Sequence, residues 1–423
     1  MKRRHVINQA LGMTGAAAVG CSSLPSGTSN PREDSPHKEP PVINWRMITS
    51  WPSHLSVYQR LVELCKRVEY MTAGRFVITP YEGGKIVEPL GKSFFDAVKN
   101  GESDIGEKVH CGHTALYYFT DIHPALAFGT TVPFGFNTQQ QHAWLYRGIY
   151  GDSKEDTGDS GKDALQKILD KHNIVWFPAG NTTGQMGGWF SKPIESINDL
   201  KGLKMRIPGL GQRVLTRLGV EAVTLPAQDV VQALLERRID AAEWIGPSED
   251  QELGLHKVAR YYYYPGWWEP GTSFAILVNQ GEWEHLKSID PKYQAIFEAA
   301  AMEANLKMIA QYNVDNGEAL QDFISRGINI QRFSESFLKE CRQEVLNFYE
   351  EMAEDNDEFP EFGSVYRNWK EFRNNLFDWY EISSFSFSKF TYEKVRESLE
   401  VKGQDETTDM CLPEENAIDK QTI

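Results

Sequence analysis

Hydrophobic and polar positions along the chain switch repeatedly between a two-residue and a helical period. Residues 44–49 read as a short strand. Residues 55–71 read as an amphipathic helix with Tyr58, Leu61, Val62, Cys65 and Val68 on one face. A strand over 75–81 is built on Phe76-Val77-Ile78, and a helix over 93–99 is stopped by Asn100-Gly101. Asp104-Ile105 is expected to begin a third strand, which gives β-α-β-α-β, the order of a mostly parallel sheet with helices on its faces. A second run has strands predicted at 175–179, 186–190, 204–207, 222–225, 240–244 and 274–279, with helices at 210–218 and 227–237. Asp290-Pro291 then starts a long helix, Asp as N-cap and Pro in the first turn, which runs to about residue 323. A strand at 328–330 precedes an acidic, helical stretch to about residue 400. No repeat of 20–50 residues is present. Two α/β sets joined by more than one crossing strand predict two lobes with a cleft between them, where open α/β sheets take ligands.

The two ends differ from this pattern. Met1-Lys2-Arg3-Arg4 followed by an Ala- and Gly-rich stretch up to Cys21 resembles a twin-arginine export signal ending in a bacterial lipobox. Ala18 stands where a lipobox usually has Leu. On this reading 1–20 is a signal peptide, Cys21 is a lipidated terminus, and 21–42 is a tether rich in Ser, Pro, Gly and charge. The protein would then be periplasmic and anchored, without spanning the membrane. The last segment, 401–423, has six acidic and two basic residues and is expected to be disordered.

Composition narrows the function classes. The 423 residues are 41% hydrophobic and 24% charged, which excludes a wholly disordered, collagenous or polytopic membrane chain. A formal charge of −15 without a basic patch speaks against a nucleic-acid partner. Loss of residues 1–20 would remove three basic and no acidic residues and leave −18. The five Cys are too few and too scattered for a disulfide scaffold or a zinc knuckle. Aromatics at 12% suit either a large core or an enclosed organic ligand.

Nucleotide, hydrolase and metalloprotease motifs are missing: no GxxxxGK[ST], strand-turn-helix GxGxxG, GxSxG, HExxH or CxxC occurs. His110, Cys111 and His113 form a small group that would need further ligands to bind a metal, and otherwise reads as loop near a cleft. Four segments carry more chemistry. In 179–190, four glycines permit close backbone approach, while Asn181 and Gln185 offer amides; a plain glycine-rich turn into a strand has the same look. In 199–209, Arg206 lies between Met205 and Ile207 in an apolar strand, so its guanidinium needs a carboxylate from the protein or from a ligand. In 239–247, Glu243 follows small residues at a strand's carboxyl end, as a cation ligand, an Arg partner or a solvated acid. In 261–271, clustered aromatics with Glu269 read equally as a pocket wall or as a core strand and turn.

Taken in order, these segments together with Trp51-Pro52 resemble the solute-binding subunits of tripartite ATP-independent periplasmic (TRAP) transporters, over about residues 44–380. The likeness is greatest to the branch that binds 2-oxo acids or lactate with a cation. It implies an α/β, two-lobed periplasmic binding protein with a ligand cleft between the lobes and a long connecting helix. The lobes would be 43–177 with 275–330, and 178–274; helices over 331–400 would follow and could serve dimerisation. The resemblance implies that Arg206 pairs with the ligand carboxylate through its fork. Gln185, Glu243, the carbonyl of Trp244 and Glu269 would give oxygens to Na⁺ or Ca²⁺. It also implies Asn181 bonding the ligand or orienting Gln185, Trp244 and Trp268 walling the pocket, and Tyr117 or Tyr118 facing the ligand. Partners would be a small organic acid anion and the TRAP permease subunits, with a homodimer expected. The stretch 150–163 is longer and more acidic than the family would have. The competing readings are a secreted hydrolase using Glu243 and Glu269 as paired carboxylates, and a ligand sensor of the same fold. The apolar positions Leu338, Cys341, Val345 and Phe348 suit either packing within the chain or helix exchange in a dimer.

Overall fold

A computed structural model describes residues 41–147, 159–354 and 357–392. The export-like segment with Cys21, nearly all of the 21–42 tether, most of 150–163 and the 401–423 tail lie outside the described residues. The chain opens with β1 (Ile43–Thr49), α1 (Ser56–Met71), β2 (Phe76–Tyr81) and α2 (Lys92–Asn100). Each follows the sequence periodicity closely, although Leu64 rather than Val62 completes the buried face of α1. Gly101 closes α2 with left-handed backbone at φ 75°, where a glycine has no steric cost.

The third strand is not at Asp104-Ile105. Residues 103–107 fold into a tight loop, in which the backbone N–H of Ser103 donates to the carbonyl of Glu107 and the N–H of Gly106 to that of Ser103. Gly106 is left-handed there, and Ile105 is exposed. The strand is instead β3 (Cys111–Thr114), all four residues of it buried. After α3 (Thr138–Tyr146) and α4 (Gly161–Leu169), β4 (Ile174–Asn181) runs on towards the second sheet.

That sheet begins with β5 (Gly188–Phe190), β6 (Lys204–Arg206), α5 (Gly209–Arg217), β7 (Glu221–Val223), α6 (Ala227–Leu235) and β8 (Ala241–Ala242). A short helix, α7 (Pro247–Leu253), leads to β9 (Tyr261–Tyr264). The chain then returns through β10 (Ser273–Asn279) and α8 (Gln280–Ile289). The long helix α9 (Pro291–Ser325) follows, its Asp290 cap accepting from the N–H of Lys292 at 2.9 Å. Next come β11 (Asn329–Arg332), α10 (Glu335–Glu354) and α11 (Glu361–Tyr380).

The strand order is β2-β1-β3-β10-β4 in one sheet and β11-β9-β5-β8-β6-β7 in the other. Both sheets are mixed rather than all parallel. β10 is antiparallel to β3 and β4, and β5 is antiparallel to β8 and β9. The reversals mark where the chain passes between lobes: outward from β4 to β5, and back from β9 to β10. The two passages are bonded to each other, the N–H of Thr182 donating to the Thr272 carbonyl at 3.0 Å and that of Gln185 to the Glu269 carbonyl at 3.2 Å. α9 is a third link. Its first half buries Phe297, Ala300 and Ala304 on one face of the first sheet, and Met308, Tyr312 and Phe323 join the larger core that runs from the other face of that sheet into the second. The apolar stripe of α10 packs within the chain, where Cys341, Val345, Phe348 and Tyr349 are buried and the Tyr349 hydroxyl donates to the Pro133 carbonyl at 2.8 Å.

Candidate functional site

β6 and β8 are parallel neighbours with Arg206 opposite Ala242, so Arg206 and Glu243 emerge side by side at the carboxyl ends of the two strands. The N–H of Glu243 donates to the Arg206 carbonyl at 3.0 Å, which fixes the register. Ala241 and Ala242 leave room for neighbouring chain, and Gly188 is needed where β5 passes. A Cβ on Gly188 would lie 2.6 Å from the Ala242 carbonyl oxygen, and its φ is +88°. The return passage presses equally close: a Cβ on Gly266 would meet the Gln185 carbonyl oxygen at 2.5 Å.

Arg206 is 1% exposed and Glu243 is fully buried. Nη1 of Arg206 donates to Glu243 Oε2 at 2.7 Å and to the Glu243 carbonyl at 2.6 Å, and Nε donates to the Leu225 carbonyl at 3.2 Å. No hydrogen bond from Nη2 is found among the described residues. The Trp244 ring lies against the guanidinium, 4.8 Å from its carbon to the centroid, a cation–π contact that leaves the fork free to act within the ring plane. Of the readings open for Arg206, the protein's own carboxylate is thus one partner.

Gln185 is buried on the outward passage, and its Nε2 donates to Thr182 Oγ1 at 3.0 Å. Its Oε1 and the Oε1 of Glu243 are buried acceptors that receive no donor among the described residues. Leaving such oxygens unmet costs about 1–3 kcal/mol each, more where the group is charged. Glu269, from the return passage, accepts from Thr272 Oγ1 at 2.9 Å and lies within reach of Tyr117 and Gln185.

Burial dominates the electrostatics. It raises the carboxyl of Glu269 to about 8, against the pull of Thr272 and Arg206. It also raises that of Glu243, to which nearby Glu269 adds. Burial opposes the charge on Arg206, yet Glu243, Tyr118, Tyr117 and Glu269 outweigh it and hold the guanidinium above its ordinary range. One fixed cation thus faces two acids, and a dry site with that balance favours a further positive charge.

Tyr117 and Tyr118 both feel the charges of Arg206, Glu243 and Glu269, so the first lobe contributes aromatic walls. A cavity of about 250 Å³ between the lobes is lined by both tyrosines, Glu88, Gly209, Gln212 and Thr224. Arg206, Gln185, Glu243 and Glu269 do not line it, so it lies beside these residues rather than around them. Two expected residues are placed differently. Asn181 uses its amide in the frame: Oδ1 accepts from Thr138 Oγ1 and the Thr183 N–H, and Nδ2 donates to Ser273 Oγ. Trp268 packs on Trp267 and Phe333, ring centroids 4.7 and 5.9 Å away. His113 is a neutral bridge, accepting from Trp51 Nε1 at 2.7 Å and bonded to the Ala179 carbonyl at 2.8 Å, with burial lowering its imidazole to about 4. Among the described residues no group of three or more His, Cys, Asp or Glu could hold a metal by itself. Thr182, Thr272 and the Leu225 carbonyl were not expected, since a threonine beside a glycine turn and a main-chain oxygen have no sequence signature.

Comparison with known proteins adds four observations. Residues 47–356 match the family model described as bacterial extracellular solute-binding protein, family 7. The chain is 44% identical over 390 residues, 92% of its length and 99% of the relative's, to a monocarboxylate 2-oxoacid-binding periplasmic protein of Nostoc sp. (strain PCC 7120). It superposes with a TM-score of 0.76, at 36% identity over 85% of this chain and 99% of the other, on a TRAP transporter solute-binding protein from Bordetella bronchiseptica RB50. That structure is a mixed-occupancy dimer with copurified calcium and picolinate in its bound site. A TRAP periplasmic solute-binding protein from Pseudoalteromonas atlantica T6c, with bound sodium and pyruvate, superposes at a TM-score of 0.72 and 31% identity, over 82% of this chain and 99% of that one.

Proposed function

The chain belongs to family 7 of the bacterial extracellular solute-binding proteins, and from that premise we propose that it captures a small monocarboxylate for a TRAP-type transporter. The ligand is a 2-oxo or 2-hydroxy acid such as pyruvate or lactate, taken together with Na⁺ or Ca²⁺. One observation carries the reading: two buried side-chain oxygens, Gln185 Oε1 and Glu243 Oε1, without donors among the described residues, beside an Arg206 guanidinium that is already bonded to Glu243. Unmet oxygens of an amide and a carboxylate fit a hard cation rather than a transition metal. Gln185 and Glu243 would hold that ion, with the Trp244 carbonyl and Glu269 as further oxygens. The ion supplies positive charge that lets an acid anion enter beside two carboxylates.

The chain's own residues do the rest. Arg206 offers Nη2 to the ligand carboxylate while Nη1 stays on Glu243. Trp244 holds the guanidinium plane, and Tyr117 and Tyr118 exclude water from the first-lobe side. Closure of the lobes then traps the acid, with ligand and cation favouring the closed form. The same geometry disfavours the hydrolase reading. Glu243 is bonded to Arg206, and among the described residues no nucleophile–base pair accompanies Glu269. The protein is thus proposed to be a carrier, working in the periplasm after export.

A homodimer belongs to the same proposal. Beyond the packed part of α11, Phe377, Trp379, Ile382, Phe387, Phe390 and Tyr392 are exposed in sequence succession, an apolar face that a second copy would cover. Light scattering at micromolar concentration is expected to give twice the chain mass, and Phe387→Ser with Phe390→Ser to give one.

Titration calorimetry tests the main reading. Chelator-treated protein is expected to bind pyruvate or lactate weakly, and to bind it tightly once Ca²⁺ or Na⁺ is restored. Absence of heat with small oxo and hydroxy acids under both ions would overturn it.

A further inference from the structure

α1 starts without a cap of its own. Its N-cap position is Leu55, and no side chain of the preceding segment bonds the first turn. The exposed N–H groups go instead to acids of the other lobe. Ser56 N–H donates to Glu252 Oε2 at 2.9 Å and Val57 N–H to Glu249 Oε1 at 2.9 Å, both acids on α7. The Ser56 hydroxyl also donates to Glu249 Oε1, at 2.6 Å. Two carboxylates thus meet the positive end of a helix that belongs to the first sheet.

α7 itself is tied to the second lobe. Asp250 accepts from Trp189 Nε1 at 2.9 Å on β5 and from the Ile245 N–H at 3.2 Å. Ile245 directly follows Glu243 and Trp244, and its carbonyl receives the Met186 N–H next to Gln185. The helix is also bonded to α9, where Tyr312 donates to Glu249 Oε1 at 2.6 Å and Asn316 accepts from Ser248. A continuous chain of bonds therefore runs from Gln185 and Glu243, through Asp250 and α7, to the start of α1. Glu249 is fully buried at the joint, where a solvated carboxylate would gain nothing by being placed.

We propose that Glu249 is a positioning residue that latches the lobe carrying Glu243 and Trp244 to α1 of the first lobe in the closed form, so that acid capture depends on it. The latch rests on the binding role proposed above and adds to it a residue that does not touch the ligand. Opening of the cleft would draw Ser56 and Val57 away from Glu249, leaving α1 uncapped and Glu249 on Tyr312 alone.

Calorimetry with pyruvate and Ca²⁺, and melting curves with and without both, test it on Glu249→Gln and Ser56→Ala. Ser56 is only half-buried, so its variant keeps the question open to measurement if Glu249→Gln does not fold. Each variant is expected to bind at least about fivefold more weakly, the scale of losing a helix cap. The liganded melting temperature should fall more than the unliganded one, and Ser56→Thr, which keeps the hydroxyl, should restore affinity. Affinity within twofold of the parent, or equal falls in both melting temperatures, would show a merely structural carboxylate and overturn the latch. If the parent chain itself gives no heat, the binding role fails, and the latch is judged by small-angle scattering of unliganded protein. A larger radius of gyration for Ser56→Ala than for the parent would uphold it, and equal radii would reject it.

Discussion

Glu243 and Glu249 are near neighbours in sequence, both fully buried, and they are held by different kinds of partner. Glu249 Oε1 collects three donors, from Ser56, Val57 and Tyr312, all neutral, whereas Glu243 Oε2 has one guanidinium. The second oxygen of each, Glu249 Oε2 and Glu243 Oε1, receives no donor among the described residues. The first arrangement bonds α7 to α1 and α9; the second sets a carboxylate beside Arg206 and Glu269. Burial raises both carboxyls, that of Glu249 to about 7, so neither the pKa nor the unmet oxygen separates the two acids, and the difference lies in the groups around them.

Removing Arg206 should break the contrast most severely. Arg206→Ala leaves Glu243 buried without its cation, and a cost of about 3–5 kcal/mol in stability is expected by thermal or chemical unfolding. Pyruvate binding should weaken by at least about 2 kcal/mol, roughly thirtyfold. A loss below about twofold by calorimetry would sink the role of Arg206. Next comes pH. The folded chain holds Glu249 protonated up to about 7, against 4.5 for a free carboxyl, so it binds more protons than the unfolded chain across that window. Its contribution to stability therefore falls as pH rises from about 4.5 to 7. Ser56, Tyr312 and the Val57 N–H pull that carboxyl back down and temper the change, while Glu252 at the same joint adds to it. The melting temperature of unliganded Glu249→Gln should gain on the parent by the equivalent of about 2 kcal/mol over that range, and a constant gap would contradict the raised carboxyl. A smaller effect is expected at the cation. Gln185→Leu removes one oxygen, and the Ca²⁺ concentration needed for half-maximal pyruvate binding should rise about tenfold, without loss of fold by circular dichroism. Least affected should be Arg217→Ala. This guanidinium bonds Glu344 and Glu351 with better geometry than Arg206 has with Glu243, but in water. The melting temperature should move by less than about 2 °C and pyruvate affinity not at all.

The contrast also shows what a sequence discloses. Arg206 and Glu243 stand out in the sequence because they break local rules. An arginine inside an apolar strand, and an acid after two alanines, have no reason to be there unless partners wait across the sheet. The crossing strands were legible through their glycines. β3 was not, since Cys111-Gly112-His113-Thr114 has neither alternation nor β-branched content before its last residue, and only β1 and β10 on either side make it a strand. Glu249 was hidden for a different reason. Ser248-Glu249-Asp250-Gln251-Glu252 reads as a solvated helix face, and its burial comes from α1 and α9, elements far away in sequence. The frame bonds of Asn181 had no signature, because an amide in a glycine-rich turn looks the same whether it faces a ligand or fastens two passing strands.

The place of β10 has a consequence for how the molecule is made. It lies between β3 and β4 in the first sheet, yet strands β5 to β9 are all synthesised before it. Until residues 273–279 leave the ribosome, β3 and β4 each keep an open edge, and neither can find its final neighbour. The first sheet is therefore completed only after five strands of the second have been made, and the second in turn still waits for β11. Folding should wait on this late insertion, a long-range pairing that is slow by nature and leaves the nascent chain exposed to aggregation or chaperone capture while it lasts.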